Sequence, residues 1–312
     1  MSLPGKILYH SWHRPFGAFR DLIAAGGAFE IQRTKRGSDE MEAAAAQLPL
    51  LSITIGTPLE LHLLTGKRFW FQTTFCLWTF ARQAGRPLAP TIYDDGSLAT
   101  AHRETLARLF PATRFISQAE SSAKLDQFLP VSKFPALRER WLNYPNIRKL
   151  IDPHLGNIGW KLVLDSDLLF FRRPDFLIDW IDHPSRPLHA VDCETSYGYS
   201  SVIINELADT RVPERINVGL TGLKSESLDW EKLEYWCRTL IDKERTSYYL
   251  EQALVAILLA DKNCAIAPAS DYVTKPVPPE ACACKAVMHH YVANSKRWYF
   301  QYNWRTASLI RR

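Results

Sequence analysis

The stretch KLVLDSDLLFFRRPD, residues 161–175, is apolar apart from two aspartates in its middle and its charged ends. Ionised carboxylates are costly to bury unless a cation or a metal ion compensates their charge. Side chains alternate along a strand, so Asp165 and Asp167 are expected on one face and Ser166 on the other. The apolar run before them puts the pair at the carboxyl end of a central strand, where open α/β sheets bind their ligands.

Two arrangements would satisfy this pair of carboxylates. A divalent cation between Asp165 and Asp167 would relieve their repulsion and give each a partner. Alternatively, one aspartate caps the following turn while the other pairs with Arg172 or Arg173. The short acidic pattern is common by chance, so the choice depends on ligands from elsewhere in the chain.

A second group of polar residues lies in VMHHYVANSKRWYF, residues 287–300. In a strand, His289 and His290 face opposite sides, so only one of them reaches a given site. A neutral imidazole with two carboxylates forms a mixed nitrogen and oxygen set that suits Mn²⁺, with Mg²⁺ as the alternative. Lys296 follows His290 by six positions and would neutralise a phosphate near the same ion. The alternative interpretation is a histidine hydrogen-bonded in the core or at an interface.

The composition limits the class of protein. The chain has 312 residues, of which 46% are hydrophobic, and a net charge of +5. Its basic residues are scattered along the chain, so no nucleic-acid partner is expected. The six cysteines are too few for a disulfide scaffold of this length. No apolar run reaches the roughly 18 residues of a membrane span, and the start lacks a signal-peptide pattern, so we expect a soluble, cytoplasmic protein.

Hydrophobic periodicity divides the chain into alternating strands and helices. Strands are predicted over residues 50–58, from 88 to the Asp-Asp-Gly turn at 94–96, and over 113–117, 160–171, 187–192, 215–223, 264–269 and 285–291. Helices are predicted over residues 69–83, 101–110, 134–142, 229–241 and 246–260. This alternation predicts an α/β fold, in which helices flank a mixed, mainly parallel central sheet within one domain.

The ends of the chain differ from this pattern. Residues 1–46 are expected to form an irregular N-terminal arm, which runs into a short helix in MEAAAAQ, residues 41–47. The predicted domain covers residues 47–300. A basic and aromatic tail, residues 301–312, follows it and is compatible with weak contact to an anionic membrane surface or with packing over the site.

Five segments, taken in order, resemble the GT-A-fold glycosyltransferases, and most of all the retaining galactosyltransferase and glycogenin-like family. These segments are LSITIGTP (51–58), VLDSDLLFF (163–171), INVGL (216–220), LEQALVAIL (250–258) and HYVANSKRW (290–298). The similarity extends over roughly residues 50 to 300 and implies a GT-A, Rossmann-like sheet. It also implies a metal-dependent glycosyltransferase that moves a sugar, with retention, from a nucleotide sugar, expected to be a UDP-sugar, to an unknown glycan, lipid or protein acceptor.

The resemblance implies roles for individual residues. The metal ligands for Mn²⁺ or Mg²⁺ would be Asp165, Asp167 and His290. The residues expected to contact the nucleotide diphosphate are Thr54, Gly56, Asp94, Asp95, Ser166 and Lys296. The residues expected at the reacting sugar are Glu251, Gln252 and Asn217, with Asp192, Gly219 and Trp298 as further substrate contacts. A simple turn remains an equal alternative for Asp94 and Asp95, and a capping role remains one for Asp192.

The chain departs from the family pattern at three positions. Ala293 stands where the family has a glycine, and Arg297 stands where it has a proline. Glu251 replaces the usual aspartate and is one methylene longer. The added Cβ of Ala293 affects the loop that would pass the diphosphate, because glycine adopts backbone angles that alanine avoids.

Other functions remain open from the sequence. A nucleotide-sugar-binding protein without catalysis would carry the same residues. VLDSDLL also resembles the D-x-D-x-[TV] motif of haloacid-dehalogenase-like phosphatases, but Leu169 occupies the Thr or Val position and the strand lies past the middle of the chain. A sugar-1-phosphate nucleotidyltransferase would require a basic, glycine-rich opening loop, which TIGTPLEL lacks.

Overall fold

The first strand of the sheet forms where leucines alternate with polar residues just after Pro58. In the computed structural model, which describes residues 26–53 and 55–308, strand β1 is Leu59–Thr65. The strand predicted over 50–58 is therefore wrong. Both segments alternate, but Leu59, Leu61 and Leu63 are fully buried, whereas Ile55 is 82% exposed. Burial in the core, which local periodicity does not report, decides which segment joins the sheet.

Ten strands lie in the described part of the chain. They are β1, β2 (Leu88–Asp94), β3 (Arg114–Ile116), β4 (Trp160–Leu164), β5 (Leu168–Phe170), β6 (Leu188–Val191), β7 (Ile216–Lys224), β8 (Ala265–Ile266), β9 (Tyr272–Thr274) and β10 (Met288–His290). Seven of them form a sheet in the order β3-β2-β1-β4-β7-β6-β8, in which β7 alone pairs antiparallel with its neighbours. The other three form a small sheet in the order β5-β10-β9. The expected mixed, mainly parallel sheet is confirmed.

The strand predicted over 160–171 is two strands in two different sheets. β4 ends at Leu164 and belongs to the large sheet, and β5 begins at Leu168 and belongs to the small one. Asp165, Ser166 and Asp167 form the turn between them. The expectation that the two aspartates sit within one continuous strand is therefore wrong, although they do end the central strand of the large sheet.

Helices flank the large sheet. They are α1 (Ala28–Ala45), α2 (Trp70–Ala84), α3 (Thr100–Leu109), α4 (Gln118–Phe128), α5 (Pro135–Asn143), α6 (Arg148–Ile151), α7 (Asp175–Asp182), α8 (Ser201–Ala208), α9 (Trp230–Glu244), α10 (Leu250–Leu259), α11 (Pro278–Ala283), α12 (Lys296–Trp298) and α13 (Trp304–Ser308). The five helices predicted from periodicity are present as α2, α3, α5, α9 and α10. None of the described helices is both long and apolar enough to cross a bilayer.

Helix α2 is apolar on all sides because it is enclosed on all sides. Phe75, Leu77 and Phe80 are fully buried, and the helix contacts α1, α13 and β5 as well as β1. It ends at Gly85, whose left-handed backbone (φ +64°) lets its N–H bond to the carbonyl of Ala81. This helix and the leucines of β1 form one hydrophobic cluster, while α5, α9 and α10 belong to a second.

Helix α1 is much longer than the short helix predicted over residues 41–47. It runs from Ala28 to Ala45 and packs against the π-helical segment Tyr299–Asn303 near the other end of the chain. The contact depends on Gly37, since a Cβ there would collide with the backbone carbonyl of Phe300. Part of the predicted N-terminal arm is thus joined to the predicted C-terminal tail. Residues 1–25 of the arm and 309–312 of the tail lie outside the described residues.

Replacing Gly37 with alanine tests this contact. At an exposed helix position the change would raise the free energy of unfolding by about 0.5–1 kcal/mol. Here we expect it to lower that free energy by about 1–3 kcal/mol, because the methyl group pushes α1 away from Phe300. Urea unfolding followed by circular dichroism measures the sign. Lys35→Ala on the exposed side of α1 is the control, and stabilisation by Gly37→Ala would show that the contact is not formed.

Candidate functional site

The turn between the two sheets fixes the backbone of both aspartates. The N–H of Asp165 donates to the carbonyl of Gly219 in β7 at 2.8 Å, and the N–H of Tyr291 donates to the carbonyl of Asp167 at 3.0 Å. One aspartate is therefore held by the large sheet and the other by the chain just after β10 in the small sheet. His290, the last residue of β10, is brought beside them by the same pairing.

The imidazole of His290 faces both carboxylates. Its Nε2 lies 3.6 Å from Oδ2 of Asp165 and 3.3 Å from Oδ1 of Asp167. One ligand atom from each of the three residues can be chosen so that all lie within 4.8 Å of one another. His289 faces the opposite side and bonds to Glu280, as the strand alternation predicts.

A chain of hydrogen bonds fixes which nitrogen of His290 carries a proton. Asn217 donates through Nδ2 to Asp192 at 3.1 Å, so its Oδ1 is the acceptor for the N–H of Gly219 at 2.9 Å. The same Oδ1 lies 3.0 Å from Nδ1 of His290, which must therefore donate. In a neutral ring this leaves a lone pair on Nε2, which is buried and has no hydrogen-bond partner among the described residues. A nitrogen lone pair and two carboxylates that face one point form a ligand set that suits a divalent cation. Asn217 orients the ring.

The charges of these groups are strongly coupled. Burial opposes ionisation of Asp167, but His290 and Lys296 outweigh it and hold the pKa of the carboxyl below its ordinary range. Burial likewise opposes a charge on His290, yet Asp167 and Asp165 raise its pKa. The ammonium of Lys296 lies 3.1 Å from Oδ2 of Asp167. A metal ion would displace the extra proton from the imidazole, because the ring must be neutral to coordinate.

Lys149 lies in the site and was not predicted from the sequence. Its Nζ lies 2.7 Å from Oδ1 of Asp165 and 3.4 Å from Oε2 of Glu251. Burial opposes its charge, but the two carboxylates raise the pKa of Lys149, so it is an ammonium at all ordinary pH values. Burial raises the pKa of Glu251 to about 7, and Lys149 limits that rise.

The short helix α6 carries Lys149 and is anchored beneath the site. Arg148 bonds through Nε to Asp152 at 2.9 Å and through a second nitrogen to the carbonyl of Asp94 at 3.0 Å. Asp152 also accepts a 2.6 Å bond from the indole of Trp141. This buried pair ties α6 to the carboxyl end of β2 and to α5. The only sequence sign of Lys149 is a pair of cations, Arg148 and Lys149, beside the apolar residues of NIRKLI.

A cleft of about 340 Å³ opens over these groups. Nine of the residues predicted for the site line it, namely Asp165, Asp167, His290, Lys296, Asn217, Gly219, Asp192, Glu251 and Gln252. Gln252 donates to Asp192 at 3.0 Å and to the carbonyl of Ile216 at 2.9 Å, so the amide is fixed in place. Residues not predicted also line the cleft, among them Lys149, Asn146, Tyr248 and Tyr249.

Other predicted residues do not line the cleft. Gly56 precedes the amino end of β1 and lies against Arg86. It was expected at the site because the first strand was predicted too early in the chain. Thr54 lies outside the described residues. Ser166 is in the turn but not in the cleft lining, and Trp298 lines an adjoining cavity.

Asp94 and Asp95 have the geometry of the turn alternative. Asp94 is buried at the end of β2, where its Oδ1 accepts from the N–H groups of Gly96 and Leu98 and its Oδ2 from Arg103. Asp95 accepts from the N–H and hydroxyl of Ser97. Neither residue lines the cleft.

Replacing Gly219 with alanine tests the placement of His290. A Cβ at Gly219 would lie 2.6 Å from Nδ1 of His290 and 2.9 Å from Oδ1 of Asn217, so the ring must move. We expect Mn²⁺ affinity, measured by calorimetric titration, to fall about tenfold or more.

The control is Gly222→Ala in the same strand. There the new Cβ would meet Trp180 and Leu188, away from the cleft. It should lower the stability of the protein without changing Mn²⁺ affinity. Equal effects of the two variants on Mn²⁺ affinity would contradict the placement.

A double-mutant cycle tests the pairing of Lys149 with Glu251. Lys149→Met leaves the buried carboxylate of Glu251 and the partly buried one of Asp165 without their shared cation and should lower the free energy of unfolding by about 3–5 kcal/mol. Adding Glu251→Gln should recover more than about 1 kcal/mol of that loss. Lys133→Met, which breaks an exposed pair with Glu231, is the control and should change stability little. Strict additivity of the two changes would mean that the pair is not coupled.

Comparisons with known proteins agree with this architecture at the level of structure only. No family model and no curated protein sequence matches the chain. The structure of mouse xyloside xylosyltransferase 1, apo form, is 12% identical with a TM-score of 0.53, covering 77% of this chain and 99% of that one. The apo structure of the bifunctional glycosyltransferase WbbM is 10% identical with a TM-score of 0.51, covering 81% of this chain and 51% of that one.

A complex of the galactosyltransferase LgtC with donor and acceptor sugar analogs is 12% identical with a TM-score of 0.49, over 75% of this chain and 87% of that one. At such identities the comparison establishes architecture, and the first two structures suffice for that. The described part of the chain has the GT-A fold of these glycosyltransferases, as the sequence predicts.

Proposed function

We propose that the protein is a glycosyltransferase that requires a divalent metal ion, Mn²⁺ or Mg²⁺, and moves a sugar from a UDP-sugar to an acceptor with retention. The observation that carries this proposal is the buried, unpartnered Nε2 of His290, directed at the carboxylates of Asp165 and Asp167 in the main cleft. The GT-A fold supports it. The position of the group at the carboxyl end of β4, where α/β sheets bind ligands, supports it further.

Departure of a nucleoside diphosphate builds negative charge on its β-phosphate. Asp165, Asp167 and His290 would hold the metal ion, which when bound supplies Lewis-acid stabilisation of that charge. Lys296, at the mouth of the same group, is positioned to place its ammonium near the departing phosphate. Its side chain is only partly buried, so it is free to leave Asp167 for a more negative partner.

A group of polar side chains next to His290 is suited to the sugar. Asp192 accepts bonds from both Asn217 and Gln252, and all three line the cleft with buried, fixed polar groups. Fixed donors and acceptors of this kind select the hydroxyl pattern of a ligand. Glu251 lies beside them, and its carboxylate is suited to orient the acceptor hydroxyl or to support a developing oxocarbenium ion.

Two tyrosines at the cleft are suited to an acceptor. Tyr248 is 72% exposed and Tyr249 is 41% exposed, and their rings meet edge to face at 5.3 Å. Exposed aromatic rings with a polar tip bind amphipathic ligands such as sugars. Tyr144 fixes this segment by donating to the carbonyl of Tyr248.

Turnover of UDP-sugars tests the proposal. The full chain is incubated with a panel of UDP-sugars and Mn²⁺, with and without added acceptor glycans, and release of UDP is measured. We expect metal-dependent UDP release with at least one donor. Asp167→Asn and His290→Gln should each lower the rate at least about a hundredfold, because charge stabilisation by the metal ion is worth several kcal/mol.

The matched control is His289→Gln, which makes the same change one residue earlier on the side facing Glu280. It should keep metal-dependent turnover once the folded fraction is taken into account. Binding of UDP-sugar and metal without any turnover would indicate a binding protein instead of an enzyme. Absence of both binding and turnover would refute the proposal, and the anomeric configuration of the product, read by NMR, tests retention.

A further inference from the structure

A second cavity lies on one face of strands β1, β2 and β3. Its volume is about 350 Å³, and it shares no lining residue with the main cleft. Strand alternation explains its lining, since the leucines of β1 face the hydrophobic core while Glu60 and His62 face the other side. The cavity is therefore built from the polar face of the sheet edge, with Lys124 of α4 and Lys161 of β4 at its borders.

Three cations converge on this cavity. They are Arg114, Lys124 and Lys161, and the only carboxylate in the lining is Glu60. Lys124 donates to Asn157 at 3.0 Å, whereas Arg114 and Lys161 have no hydrogen-bond or ion-pair partner among residues 26–53 and 55–308. Glu120 and Glu226 compensate Arg114 and Lys161 only through space, so the three like charges still repel each other, and an anion in the cavity would reduce that cost.

The charges are close enough to affect their neighbours. Burial lowers the pKa of Lys124, Arg114 and Lys161 add to that effect, and Asp152 and Glu120 oppose it. Burial, with Lys161 and Arg114 again adding to it, lowers the pKa of His62 to about 3, so its ring is neutral and adds no charge to the cavity. The floor is formed by this ring and by Tyr93, whose hydroxyl lies 3.3 Å from Nδ1 of His62.

We propose that this cavity binds a small phosphomonoester, such as a sugar phosphate. The cavity lining carries three cations and one carboxylate, an excess of positive charge that favours an anion such as a phosphate. The guanidinium of Arg114 matches the geometry of phosphate oxygens, and lysines act as point charges beside it. The hydroxyl of Thr91 is available for a hydroxyl group of the ligand, whereas the amide of Asn157 already accepts from Lys124 and donates to the carbonyl of Pro153. The volume is that of a small-molecule site. This proposal does not depend on the activity proposed for the main cleft.

Calorimetric titration of the full chain with glucose 6-phosphate, with inorganic phosphate as a second probe, tests the site. We expect the double variant Arg114→Gln, Lys161→Gln to weaken binding of both probes at least about tenfold, as expected for lost charge-assisted hydrogen bonds. Each probe should also raise the Tm of the unmodified chain and leave that of the double variant unchanged. Because neither side chain has a partner, the double variant should fold normally.

Two controls separate this site from other sources of binding. Lys232→Gln, Arg238→Gln removes the same two charges from the exposed face of α9 and should leave binding intact. Lys296→Gln removes a cation of the main cleft and should also leave it intact. Equal loss in the α9 control would mean non-specific charge attraction, and loss in Lys296→Gln would place the phosphate in the main cleft. Either result would overturn the proposal. So would the absence of binding to the unmodified chain at a probe concentration of about 10 mM.

Discussion

The site depends on a three-residue turn that joins two sheets. The chain leaves β4 at Leu164 and enters β5 at Leu168, and each aspartate of the turn is hydrogen-bonded to a different sheet. The two carboxylates are thus held together by backbone pairing on both sides, independently of any ligand. Two carboxylates held this close repel each other, so the arrangement is stable only while cations surround it.

The two oxygens of each aspartate contact different partners. Asp165 and Asp167 each turn one oxygen toward Nε2 of His290, while the other oxygen of each contacts a lysine. The lysines hold the outer oxygens, so the inner ones stay directed at one point. A metal ion at that point gains three ligand atoms without any large rearrangement, which lowers the entropy cost of binding. Lys149 and Lys296 therefore act first as positioning residues for the carboxylates.

The grouping of Asp165, Asp167 and His290 was predictable because these residues lie in short, local patterns. Asp165 and Asp167 interrupt an apolar run, and His290 lies beside a second histidine in a strand where only one can face the site. Lys149 could not be predicted in the same way, because α6 is a single turn and its partner carboxylates come from the turn after β4 and from α10. Nothing in its local sequence indicates that pairing, which exists only after the sheet has formed.

Two of the three errors in the fold, the first strand and the first helix, have a related cause. Residues 51–55 and 59–63 both alternate in hydrophobicity, and only packing against α2 and β2 distinguishes the real strand. Helix α1 is largely exposed and polar over its first half, with ion pairs such as Arg36 with Glu40 along its surface. Such a helix is stabilised by side-chain pairs and by docking on a distant segment, so its hydrophobic pattern is weak.

The loop that carries Lys296 contains Ala293, which stands where the resembling family has a glycine. Ala293 adopts the left-handed conformation with φ +48°, which costs roughly 1 kcal/mol for a residue with a Cβ. The loop keeps that conformation because Ser295 bonds back to the carbonyl of Val292 and Lys296 reaches Asp167. These two contacts hold the ammonium of Lys296 at the cleft before any ligand binds, so less conformational freedom remains to be lost on binding.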